Sequence, residues 1–402
     1  MSHAANWLML QGSQDKPGVK PWGFFQIRST QNYGDTVVEN GVNKTPFSYV
    51  APKVQKSSDF SLSHFRLGLR GSLDSENKIN YFLLTEFAPN GINAPLNEKH
   101  NHYLTDISLT LKYLPIYMRF GKFKYPGSEE GLMTRFASPF IHFTTLSDQL
   151  LLERFVDASE AKPVSGVGAF RDSGVELFQS YRLFDDYELS GAYMYGNGSG
   201  VENKNINEGE MTHYGYVSVQ KNLGSGKGYK DESLKFYIWM QRGKRFLAQE
   251  QQFYERAREG AGMTYYFNNL HIEAEYAQGK GMISSGAKDT SSDPSINDWK
   301  FLMQASSKNR ASGYYASVVY EIIKDIDVLF RYDRYDRITN NKKLYRVFET
   351  YTTGFSYKFK NYNRIDMNYD HSSISAPYNS VAQSLLRAVG DRISVQFTLL
   401  MI

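Results

Sequence analysis

The chain of 402 residues has no cysteine, only 4 tryptophans and 12 prolines. It also has no apolar run near the roughly 18 residues that a membrane-spanning helix needs, which excludes such a helix. Without cysteine there are no thiolate metal sites, no cysteine nucleophile and no haem attachment through Cys-x-x-Cys-His. Excess charge is scarce as well. Lys and Arg number 46 against 42 Asp and Glu, and the net charge of +4 is too small to point to nucleic acid. The first residues, Met1 to Trp7, show neither the basic nor the apolar stretch of a signal peptide. An exported protein of this sequence is therefore expected to have lost its leader, with Met1 added for expression. What is abundant is the aromatic ring: 30 Tyr and 26 Phe. One soluble core hardly accounts for so many, whereas a barrel with aromatic girdles at two water–lipid interfaces does.

From Trp22 onward, segments of alternating polarity succeed one another to the C-terminus. They are Trp22–Tyr33, Phe60–Ser72, Lys78–Phe87, Leu104–Leu114, Ile116–Lys124, Arg171–Leu183, Tyr187–Gly196 and Met211–Asn222. Ser233–Gly243, Ala257–Phe267, Leu270–Gln278, Ser312–Ile323, Ile326–Tyr335, Arg346–Phe359, Arg364–Asp370 and Arg392–Met401 complete the set. In the last segment Ile393, Val395, Phe397 and Leu399 oppose Arg392, Ser394, Gln396 and Thr398. A soluble sandwich also alternates, but not with so many charges on the polar face of successive strands. Every second connection is short, such as Asn268-Asn269 and Lys324-Asp325. The others are mostly long and polar. Short turns at one rim and long loops at the other form the outer-membrane pattern. The expectation is an all-β fold, a 16-stranded antiparallel transmembrane β-barrel over residues 22–402, preceded by an N-terminal periplasmic extension over 1–21. Sixteen strands enclose a water-filled channel, and closure leaves no edge unpaired in lipid.

Residues 125–170 carry no period-2 signal, and loops of that length are commonly functional. They are expected to fold into the bore as a constriction loop. Ser147 or Asp148 before the leucine run 150–152 suggests the N-cap of one short helix. Glu129, Glu130, Arg135, His142 and Arg154 belong to the same loop, and two roles are open to them: lining the constriction, or anchoring the loop to the wall. Strand parity places Arg66, Arg70, Arg119 and Arg182 on the inner wall, together with numerous acids, among them Glu86, Glu273, Glu275 and Asp333. The arginines suit carboxylate and phosphate oxyanions. The expected result is a transverse field with a modest anion preference.

No cofactor and no metal are expected. His100-Asn101-His102 reads as solvated loop, and no Ser–His pair with an orienting acid emerges from strand parity, so no catalytic residue is assigned and an enzyme is not expected. The leading reading is a passive diffusion channel for small anions or mixed hydrophilic solutes, with the lipid bilayer of the bacterial outer membrane as its surroundings. The competing reading is a barrel that sheathes a periplasmic electron-transfer or other protein partner.

Two stretches carry a resemblance. Residues 121–129 (Gly-Lys-Phe-Lys-Tyr-Pro-Gly-Ser-Glu) and 169–177 (Ala-Phe-Arg-Asp-Ser-Gly-Val-Glu-Leu) flank the long loop. Together with His64-Phe65-Arg66-Leu67-Gly68-Leu69-Arg70-Gly71, they resemble the phosphate-selective porin O and P family. The resemblance implies a sixteen-stranded, usually trimeric, anion-conducting channel with basic residues along its bore. Arg66, Arg70 and Arg119 are compatible with that family's arginine ladder. Its lysine cluster has no match here, and the chain ends in Leu-Met-Ile rather than in an outward aromatic residue. Phosphate selectivity is therefore not carried over.

Overall fold

A computed structural model describes residues 17–39, 42–44, 58–88, 90, 102–152, 155–157, 162–164, 169–184, 186–198, 200, 210–224, 232–247, 252–285, 302–304, 308–359 and 363–401. Sixteen of its strands close into one barrel. In chain order they are β1 (Lys20–Asn32), β2 (Ser58–Ser72), β3 (Ile79–Glu86), β4 (Tyr103–Leu111), β5 (Tyr117–Lys124), β6 (Arg171–Phe184), β7 (Tyr187–Gly196) and β8 (Thr212–Asn222). Then come β9 (Ser233–Leu247), β10 (Gln252–Phe267), β11 (Leu270–Lys280), β12 (Arg310–Ile323), β13 (Ile326–Arg337), β14 (Arg346–Phe359), β15 (Asn363–Ser375) and β16 (Arg392–Met401). Each pairs antiparallel with its sequence neighbour, and β1 closes the ring against β16. Two short helices lie in connections, α1 (Glu129–Leu132) and α2 (Ser380–Leu386).

The barrel turns the usual burial rule inside out. Along β16 the residues shielded from solvent are Arg392, Ser394, Gln396 and Thr398, while Val395 and Phe397 are exposed. The same holds on β15, where Asp366, Asn368 and Asp370 are buried and Ile365 and Tyr369 face out. In water, so much exposed aliphatic surface would be costly; against hydrocarbon it is at rest. The outer surface grades accordingly. Val217, Val219, Phe236, Ile238, Val328 and Phe330 form an apolar band. Above it stand Tyr193, Tyr195, Tyr314, Tyr351 and Tyr369, and below it Tyr181, Phe184, Tyr187, Tyr320 and Tyr357. These are two aromatic girdles, each at a water–lipid boundary. No described helix is long and apolar enough to cross a membrane, so the strands do the crossing.

The short turns use residues that tolerate the left-handed region: Asn77, Asn268 and Asp325 have φ of 58°, 52° and 69°. In the turn after β2, Asp74 accepts the amides of Lys78 (2.9 Å) and Ile79 (2.8 Å) and the hydroxyl of Ser72 (2.7 Å). Desolvation acts to raise the pKa of Asp74, but these donors outweigh it and hold the carboxyl below its ordinary range. At the other rim several strands run further than the sequence pattern implies. β9 continues to Leu247 and β10 begins at Gln252, so much of the expected loop of residues 244–256 is strand. Leu302–Gln304 pairs with Ile283–Ser285 in a separate two-stranded ribbon. Of the N-terminal extension expected over 1–21, residues 1–16 lie outside the described residues, and Lys20 and Pro21 already belong to β1.

Candidate functional site

After Lys124 the chain leaves the wall and enters the bore. Tyr125 stacks on Tyr214 of β8, with ring centroids 4.5 Å apart. Ser128 Oγ and the Glu129 amide then donate to Glu275 Oε2 on β11, at 3.0 and 3.1 Å. The same carboxylate accepts Tyr237 (2.9 Å), Tyr315 (3.2 Å) and, on its other oxygen, Trp239 Nε1 (2.9 Å). One buried acid thus gathers two donors from the loop and three from the wall. Beside it Lys235 Nζ donates to Glu129 at 2.7 Å. One residue on, Glu130 accepts the amide and hydroxyl of Thr144 (2.9 and 2.6 Å) and Arg331 Nη1 of β13 (3.3 Å).

The loop next reaches the opposite wall. Gln26 of β1 donates to the Arg135 carbonyl (3.3 Å), the Ile141 amide donates to Asn368 Oδ1 (2.8 Å), and His142 bonds Ser394 (2.8 Å). It then returns, with the Thr145 amide on Asp333 (2.9 Å) and the Leu150 carbonyl accepting Arg258 Nε (3.0 Å). Residues 125–152 therefore cross the bore and come back, held at both sides. Leu146, Leu150, Leu151 and Leu152 fill the space between, within one buried cluster that includes Tyr335 and Phe348 of the wall. The leucine run forms a single π-type turn, Ser147–Leu151. Neither Ser147 nor Asp148 caps it. The chain already turns at Thr144, whose hydroxyl, steadied by Glu130, accepts the Ser147 amide at 3.1 Å.

The residues singled out from the sequence, Arg154 apart, have defined places. Arg135 Nη2 donates to the carbonyls of Phe140 (2.9 Å) and Ile141 (2.8 Å), and its guanidinium lies 4.2 Å from the Phe143 ring. It knits the loop to itself. Burial pushes its pKa down to about 10, with Glu130 opposing and Arg331, Arg364 and Arg28 adding to the fall, so it stays cationic at neutral pH. Glu129 and Glu130 are wall anchors. Arg66 pairs with Glu86 (2.8 Å), which also bonds His64 (2.7 Å). Arg119 pairs with Glu176 (3.2 Å) and lies over Phe178. Arg70 lies over Trp22, and Arg182 is exposed near the short-turn rim. Arg154 falls outside the described residues.

A second set of cations stands higher, and three of them, Arg245, Arg256 and Arg337, fall outside the segments read from the sequence. Arg245, Arg256, Arg258, Arg337, Arg346 and Arg392 all point inward, above the loop, toward the long-loop rim. Arg337 and Arg346 even stand in direct cross-strand register, an arrangement of like charges that neighbouring strands ordinarily avoid. Asp370 answers Arg392 at 2.7 Å. Extending the alternation past the apolar band, with polar residues on both faces, would have found Arg245, Arg256 and Arg337. On the short-turn side of the loop, Met133, Phe140, Tyr266, His271, Tyr315 and Arg364 border a cavity of about 110 Å³, room for several waters.

No protein-family model and no curated protein sequence matches the chain. Solved structures do. OmpF of Salmonella typhi, solved with daunomycin, matches with a TM-score of 0.60 at 12% identity, over 95% of this chain and 97% of that one. The anion-selective porin from Comamonas acidovorans matches at 0.56 and 12%, over 96% and 99%. The outer-membrane channel DcaP of Acinetobacter baumannii matches at 0.55 and 10%, over 96% and 98%. In fold, the chain is a closed sixteen-stranded antiparallel barrel of the bacterial outer-membrane porin type.

Proposed function

We propose that the protein is a passive diffusion channel of the bacterial outer membrane for small hydrophilic solutes, with a modest preference for anions. The observation that carries the preference is the set of inward arginines above the loop, on β9, β10, β13, β14 and β16. Guanidinium groups in a low-dielectric cleft raise the local concentration of anions at its mouth. Acids stand among the cations throughout, as Glu86 does beside Arg66, Glu176 beside Arg119 and Asp370 beside Arg392, so the bias is moderate. Phosphate and other oxyanions fit the guanidinium forks; the resemblance to the phosphate-selective family and the name of the Comamonas neighbour point the same way. A homotrimer is the assembly that the resemblance implies. The sheath reading loses ground to the loop, since residues 125–152 occupy space that a threaded partner would need.

The test is planar-bilayer recording across a salt gradient. The wild-type channel is expected to give a zero-current potential of the anion-selective sign, and Arg337→Gln with Arg346→Gln to move it toward zero. A cation-selective wild type overturns the preference.

A further inference from the structure

Aromatic side chains line the inner wall of the barrel unevenly. On β1 and its neighbours the rings form a line from the constriction loop to the short-turn rim. Phe136 of the loop lies 5.6 Å from Phe24, and Trp22, two residues before Phe24 on the same face of β1, lies 5.6 Å from Phe82. Two of these rings carry an arginine over them: Arg66 at 5.4 Å from Phe24 and Arg70 at 5.7 Å from Trp22. Phe24, Phe82 and Arg66 are buried, whereas Trp22 and Arg70, like Phe136 at the loop end of the line, are half-buried and keep part of their surface open. Opposite Trp22 in register stands Gly68. A Cβ there would come within 3.1 Å of the indole Nε1 and 2.4 Å of the Leu83 carbonyl oxygen. The missing side chain lets the indole lie against the wall. Farther round the barrel, the inner face of β11 to β15 sets Glu273, Glu275, Asp327, Asp333, Asp366 and Asp370 among the rings of Tyr315, Tyr335 and Phe348 and the guanidinium groups of Arg331 and Arg364.

A flat, negatively charged solute would meet a ring and a guanidinium side by side on the first wall. Resting on the proposed channel function, we infer that Trp22 and Arg70 form a subsite in the periplasmic half of the bore for aromatic carboxylates. The ring lies on the open part of the indole and the carboxylate reaches the guanidinium. The chemistry is ring stacking combined with a charge-assisted hydrogen bond.

The test is open-channel block in planar bilayers with added benzoate, cyclohexanecarboxylate or benzamide. Benzoate is expected to half-block at a concentration about three- to tenfold lower than cyclohexanecarboxylate, the range of one ring–ring contact. Trp22→Leu should abolish that difference in a variant that still forms channels in salt alone, which shows that the barrel has formed. Trp22→Phe should restore most of it. Arg70→Gln should bring benzoate down to the level of benzamide. Equal block by benzoate and cyclohexanecarboxylate in the wild type overturns the subsite and leaves the channel standing. So does a difference that survives Trp22→Leu. A wild-type barrel that conducts nothing overturns the channel reading and the subsite with it.

Discussion

Glu275→Gln should loosen the constriction loop while the barrel stays closed. Glu275 receives Ser128 Oγ and the Glu129 amide from the loop, and Tyr237, Trp239 and Tyr315 from the wall. Hydrogen bonds to a charged acceptor contribute about 1.5–3 kcal/mol each. The two from the loop therefore hold it with about 3–6 kcal/mol. An amide oxygen in the Oε2 position keeps both loop donors, but as a neutral acceptor it holds each about half as strongly, so about 1.5–3 kcal/mol is lost, and the amide NH2 is turned against Trp239 Nε1. In population terms, the undocked loop becomes about 10- to 150-fold more frequent. Single-channel recording reads this as excess open-state noise and discrete conductance steps. Tyr237→Phe is the control, because it removes a donor of the wall and none of the loop. Were the Glu275→Gln channel as quiet as the wild type, at the same unitary conductance, Glu275 would not be the anchor and the reasoning would fail.

Gly131→Leu should displace the end of the loop, since a Cβ at that position would lie 2.3 Å from Phe170 Cδ1, and Phe170 is itself buried; a changed unitary conductance in a normally folded barrel is the expected reading. Arg258→Met removes the donor to the carbonyls of Leu150, Gly281 and Met282. At about 1–3 kcal/mol for each buried acceptor left unsatisfied, it should lower the denaturant midpoint of the folded barrel measurably. Asp74→Ala should lower the same midpoint at neutral pH. Because the folded pKa of Asp74 is depressed, its contribution is complete above the unfolded value near about 3.9 and fades as pH falls through the folded one. The variant and the wild type should therefore converge in strong acid; a gap that stays constant with pH would contradict the assignment.

The barrel was legible because lipid imposes a rule on every strand: one face must be apolar for the length of the hydrocarbon. That rule finds Arg171–Phe184, Tyr187–Gly196 and Arg392–Met401 to within a residue. It goes silent where a strand leaves the bilayer and both faces are wet, which is why the ends of β9, β10 and β13 read as loop and Arg245, Arg256 and Arg337 went unassigned. The loop's inward course was also legible, from its length and its lack of alternation. Its moorings were not. Gln26 meets the carbonyl of Arg135, Ile141 meets Asn368, and His142 meets Ser394, partners separated by 109, 227 and 252 positions. No local pattern encodes such pairings. The same distance explains why Glu275 stood in the sequence only as one acid among many on a polar face.

The join between β1 and β16 runs from Gly23 beside Met401 to Asn32 beside Arg392, ten residue pairs with nothing covalent across them. In water such a zip could slip open and re-form. Surrounded by hydrocarbon, every amide released would go without a partner, at several kcal/mol apiece. A solute therefore has no sideways exit into the bilayer: whatever enters this cylinder leaves by one of its two ends.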